Sequence, residues 1–112
     1  MGQHYKLDRV KELADNDEEF IAVLAATFLE EVPEDAERLK NAVALNDHYT
    51  AYQAAHKMKP TVDLFELGVL DDLIEVQDWG KFEQSNDINA KLTKVLEAVE
   101  KASEEIRSDF SL

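Results

Sequence analysis

The sequence predicts an all-α fold: an up-down antiparallel four-helix bundle with a short extra helix at its N-terminal end. Three observations lead there. Ala, Leu, Glu and Lys dominate, and these residues favour helix. Three Gly and two Pro in 112 residues leave little material for the turns of a β fold. Apolar residues recur at three- and four-residue steps through most of the chain, the period of a helix with one buried face. A length of 112 residues suits one domain, here expected to span residues 1–112.

The elements follow in order. Leu7, Val10 and Leu13 mark a short helix ending near Ala14. Asn16 and Glu19 fit a capping box for the next helix, with Asp17 and Glu18 in the first turn, where the helix dipole favours acids. Ile21, Leu24, Phe28, Val32, Ala36, Leu39 and Val43 then continue one stripe, which crosses Pro33 in register. Pro33 removes the N–H that would bond the carbonyl of Leu29, so a kink or short break is expected there. Asn46-Asp47 reads as a stop and a new start. Ala51, Ala55, Met58, Val62 and Phe65 form the next apolar face, with Pro60 inside the helix. Leu67, Leu70 and Ile74 form a further stripe, ending near Trp79-Gly80. Ser85, Asn86 and Asp87 offer N-caps for a last helix whose face is Ile88, Leu92, Val95, Val99, Ala102 and Ile106. Short connections between one-faced helices give the up-down arrangement.

Composition narrows function. The absence of Cys excludes disulfides, thiolate chemistry and cysteine-based zinc sites. A net charge of −13 opposes nucleic acid, whose phosphates would be repelled at long range. The longest apolar run, Phe20 to Ala26, is too short to span a bilayer, and no secretory-signal pattern opens the sequence, so a cytoplasmic location is expected. A carboxylate di-metal site needs Glu-x-x-His pairs facing the bundle interior, and there is no Glu-x-x-His. Gly-rich phosphate loops and hydrolase motifs are also missing.

Three histidines remain as chemical groups. His4 falls in an end segment expected to fray. His48 falls in an expected loop, where it reads as a polar surface residue. His56 follows core Ala55 by one residue, about 100° round the helix, which puts it at the border or outside of the apolar face. From His48 to Val62 there is no Asp or Glu, the longest acid-free stretch in the chain, and it contains Lys57 and Lys59. A neutral imidazole is mostly unprotonated at neutral pH and can attack phosphorus without a separate base. Lys59, one turn on, and adjacent Lys57 could neutralise a phosphoryl group there, with Gln53 at the periphery of the site. A surface histidine among solubilising lysines is the plainer alternative for the same residues.

Ala55-His56-Lys57-Met58-Lys59-Pro60 resembles the Ala-His-x-Leu-Lys-Gly signature of histidine-containing phosphotransfer (HPt) domains, in the variant ending His-Lys-Met/Ile-Lys-Pro. The resemblance runs from about residue 5 to residue 75. It implies that His56 accepts a phosphoryl group and that Lys59 stabilises the phosphohistidine. It also implies a phosphoryl carrier without kinase activity, passing phosphate between receiver-domain aspartates of response regulators and hybrid sensor histidine kinases. Such a carrier needs no cofactor of its own, since Mg²⁺ belongs to the receiver, and a monomer is expected. Two positions depart from the pattern: Pro60 replaces the first glycine of the family, and Glu66 the second, with Gly68 two residues later.

The partner is expected to meet Tyr52, Gln53, Lys57, Lys59, Pro60 and Asp63, with apolar contact from Ala25, Leu29 and Val32. The last helix, carrying Lys91, Lys94, Glu97, Lys101 and Glu104, is expected to be a solvated outer face. A helical adaptor that binds a partner without covalent chemistry is the alternative of a different class, with His56 incidental to it.

Overall fold

The computed structural model describes residues 4–82 and 87–112. Among the described residues five helices form in order: α1 (Asp8–Leu13), α2 (Glu18–Ala44), α3 (His48–Leu64), α4 (Leu70–Lys81) and α5 (Asn89–Asp109). The four longer helices pack antiparallel, α2 on α3, α3 on α4, α4 on α5 and α5 back on α2, with α1 against α2. α2 has 27 residues, which makes it about 40 Å long and accounts for most of the bundle's 44 Å length.

At three of these starts an aspartate accepts from backbone N–H groups of the first turn. Asp17 caps α2, its carboxylate accepting from the N–H groups of Glu19 (3.0 Å) and Phe20 (3.3 Å). The cap expected at Asn16 is displaced by one residue, because Asn16 itself sits in the left-handed region (φ 59°) that closes the turn after α1. Asp47 caps α3 by accepting from the Thr50 N–H, and Asn46 at φ 54° ends α2, as the Asn46-Asp47 pair predicts. At α5, the Asp87 carboxylate accepts from the Asn89 N–H at 3.0 Å. Ser85 and Asn86 lie outside the described residues.

The predicted stripes of α2, α3 and α5 are the buried faces, centred on Phe28, Leu39, Met58, Val95 and Ile106. Phe28 and Phe65 meet at 4.9 Å between ring centroids and join α2 to the end of α3. α2 continues through Pro33 with no break in the helix, and Pro60 lies inside α3 as expected. The apolar face expected for α4 is corrected. On α4 the buried face is Leu73, Val76, Trp79 and Gly80, while Leu70 and Ile74 lie at its edge. The helix begins only at Leu70, so a phase carried from Leu67 across Gly68 (φ 80°) is not kept.

The N-terminal segment is held rather than frayed. The His4 ring and backbone N–H both meet the carboxylate of Glu105, the Tyr5 hydroxyl donates to Asp109 at 2.6 Å, and the Lys6 N–H donates to the Phe65 carbonyl at 2.8 Å. Burial, and then the bond to Asp109, pushes the Tyr5 hydroxyl well above the ordinary tyrosine range. Glu66 adopts φ 52°, a conformation natural to glycine, and turns the chain after α3.

Candidate functional site

α3 presents His56 by simple helix geometry. Ala54, Ala55 and Met58 face the core, and His56 lies between them on the outer side, exposed. Its ring is nonetheless set on the α4 side. Nδ1 stands 3.3 Å from Oε1 of Gln77 on α4, and the ring stacks on Tyr52, one turn back, at 5.7 Å with planes 7° apart. An amide oxygen accepts, so Nδ1 carries the proton in this arrangement and Nε2 keeps its lone pair.

The close fit of α4 that brings Gln77 within reach depends on Gly80. A Cβ at Gly80 would stand 2.7 Å from the His48 carbonyl oxygen and 2.8 Å from the Tyr52 nitrogen, both backbone atoms of α3. Here the absence of a side chain lets two helix backbones touch. His48 belongs to the same contact. It is the first residue of α3, not a loop residue, and its ring lies 4.3 Å from that of Trp79. The surface role expected for it is thus corrected: helix start and α4 packing turn the ring inward, with Nε2 buried and without a hydrogen-bond partner among the described residues.

The residues expected around His56 separate into two flanks. Lys59 lies one turn ahead, partly buried, and forms no ion pair among the described residues. Lys57 turns to α2, where its ammonium meets Asp35 at 3.2 Å and Glu31 at 3.9 Å. Gln53 also belongs to the α2 side, accepting from Arg38 at 3.2 Å and donating to the Tyr49 hydroxyl at 2.8 Å. Asp63 is taken by Arg9 of α1. On the α4 flank the Lys81 ammonium lies 5.1 Å from the Tyr52 ring centroid and 5.3 Å from that of Phe82, distances of cation–π contact.

Ala25 and Val32, expected to offer apolar contact to a partner, are in the core, because they stand four residues from Ile21 and Phe28 on the same stripe. Leu29 is half-buried, and the exposed apolar residues of α2 are Phe20 and Val23. On α5, Lys91 is not free of the bundle: it bridges Asp72 (3.6 Å) and Glu75 (3.1 Å) on α4.

Nothing in the amino-acid order marks Gln77 or Asp35 as site residues, and it marks Gly80 only as a helix end. Gln77 follows buried Val76 as His56 follows Ala55, a border position that polarity alone does not distinguish from ordinary surface. Among the described residues no three His, Asp or Glu side chains cluster as metal ligands, and no helix is long and apolar enough to cross a membrane. The chain matches no protein-family model, no curated protein and no solved structure.

Proposed function

We propose that the protein is a histidine phosphotransfer carrier of the HPt type, taking a phosphoryl group from a receiver-domain aspartate onto His56 and passing it to another receiver. The observation that supports this reading is the setting of the His56 ring: exposed, with Nδ1 3.3 Å from the Gln77 amide oxygen, an arrangement in which Nδ1 holds the proton and Nε2 the lone pair. The lone pair of Nε2 forms the N–P bond while the P–O bond to the aspartyl carboxyl breaks, and the aspartate leaves as carboxylate. No proton has to be removed from the attacking nitrogen. The ring becomes cationic as it bonds phosphorus, and the Gln77 oxygen, accepting from Nδ1–H, favours that form.

Such a transfer has a loose transition state, so catalysis lies in positioning and charge neutralisation. Lys59, one turn from His56 and in no ion pair with the described residues, is the cation this reading assigns to the phosphoryl oxygens, and the acid-free stretch from His48 to Val62 keeps carboxylates of that stretch away from them. Mg²⁺ in this reading belongs to the receiver. No kinase chemistry is assigned to the chain.

The test is transfer from a phosphorylated receiver to the wild type and to His56→Gln. Label is expected on the wild type alone, with the variant's helicity and melting unchanged because an exposed side chain contributes little to the core. Label on the variant, or none on the wild type with any receiver of the source organism, would leave the adaptor reading in its place.

A further inference from the structure

Asp35 is unusual among this protein's many acids. It is 6% exposed, beside Ala36 on the inner face of α2, and Lys57 is the cation that meets it, at 3.2 Å. A buried carboxylate that loses its cation is costly, so this pair constrains both helices. Lys57 is the residue next to His56, and the pair therefore ties α3 to α2 at the turn that carries the imidazole.

Few polar side chains at that turn reach across to α2: besides Lys57, Gln53 accepts from Arg38 at 3.2 Å. Of the core residues there, Ala51, Ala54 and Ala55 are each a single methyl, which interdigitates weakly with a neighbouring helix, and Met58 supplies a long side chain. The rotation of α3 about its axis decides whether Nδ1 of His56 reaches Gln77, which it does at 3.3 Å, near the long end for a hydrogen bond. A few degrees of roll would break that contact.

We propose that Asp35 is a positioning residue for His56: by holding Lys57 it sets the roll of α3 that keeps the imidazole on Gln77 and Nε2 outward. The proposal rests on the reading of His56 as phosphoryl acceptor. It gives Lys57 a different task from Lys59, anchoring the helix while Lys59 meets the phosphoryl group.

The test reads the ring directly, without any partner. In ¹⁵N-labelled protein at a pH well above the usual histidine pKa of about 6.5, wild-type His56 is expected to show the Nδ1–H tautomer. Lys57→Met and Asp35→Asn are expected to give mixed tautomers and to slow transfer from a phosphorylated receiver about fivefold, as loss of one ordinary hydrogen bond to the ring would. Lys57→Arg, which keeps the pair, is expected to restore both. Val32→Ala removes buried volume from the core face of α2, three residues from Asp35, and is expected to lower the melting temperature while leaving the tautomer as in the wild type. Lys57→Met with a wild-type ring signature, or Val32→Ala with the same shift as Lys57→Met, overturns the proposal. Should Asp35→Asn fail to fold, Lys57→Met decides alone. A wild type that accepts no phosphoryl group counts against the phosphotransfer function, while the tautomer comparison still decides whether Asp35 sets the ring.

Discussion

The amide oxygen of Gln77 stands 3.3 Å from Nδ1 of His56, across the seam between α4 and α3. The contact joins two border positions on different helices and assigns the two ring nitrogens different tasks. It leads directly to a first prediction. Gln77→Leu removes the acceptor, so the tautomers mix and the fraction of rings with Nε2 unprotonated falls. Transfer to His56 is expected to slow by about fivefold to tenfold, the effect of about 1 kcal/mol, with melting little changed. Stopped-flow or quenched-flow transfer kinetics checks it, and an unchanged rate would remove Gln77 from the site.

Lys59→Ala is expected to slow transfer or shorten the phosphohistidine lifetime about tenfold or more, since a charge-assisted contact is worth about 1.5–3 kcal/mol. The fold should be unaffected, because Lys59 joins no ion pair among the described residues. Equal transfer and hydrolysis rates for variant and wild type would show Lys59 to be only solubilising.

The chemical form of the label separates His56 from the many carboxylates. A phosphoramidate on His56 loses phosphate in acid and survives alkali, whereas an acyl phosphate on Asp or Glu is lost in alkali. Filter retention after acid and alkaline treatment is expected to follow the first pattern.

Gly80→Ala tests the α3–α4 contact. In an ordinary helix interior this change stabilises by about 1 kcal/mol. Here the new Cβ would stand 2.7 Å from the His48 carbonyl oxygen, so the sign is expected to reverse. A loss of about 1–3 kcal/mol is expected from overpacking against backbone, measured by urea denaturation. The same variant should weaken the His56–Gln77 contact, visible in the ring tautomer.

Acid should loosen the start of α3. Hydrogen bonds from Thr50, side chain first and then backbone, hold the Asp47 carboxyl below the usual aspartate range. The folded-state pKa is thus depressed relative to the unfolded chain. Stability from this cap is present above the unfolded value of about 3.9 and is lost as pH falls through the depressed one. Asp47→Asn keeps an acceptor without the charge, and its melting temperature should fall less between neutral and acid pH than that of the wild type.

The helical stripes, the position of His56 at the border of one of them, and the start of α3 at Asp47 follow from the amino-acid order alone. Each depends on residues within about two turns of one another, where helix period and capping chemistry act directly. Where local signals compete, the order misleads by a small step. Asn16 and Asp17 are both good caps, and the turn takes Asn16 for its left-handed position. Leu67 lies in the same spacing as Leu70 and Ile74, but Gly68 and the helix start at Leu70 change the phase.

Tertiary packing decided the rest, because pairing between helices has no local signature. Only the docking of α4 on α3 through Gly80 brings Gln77 to His56, and only the docking of α2 turns Lys57 from a neighbour of the imidazole into the partner of Asp35. His4 and His48 show the same division. Sequence position makes them end and loop residues, whereas Glu105 and Trp79, from distant parts of the chain, hold one at the end of the bundle and the other in its α3–α4 contact. What a side chain is follows from the sequence. What it faces depends on which helix the chain folds against it.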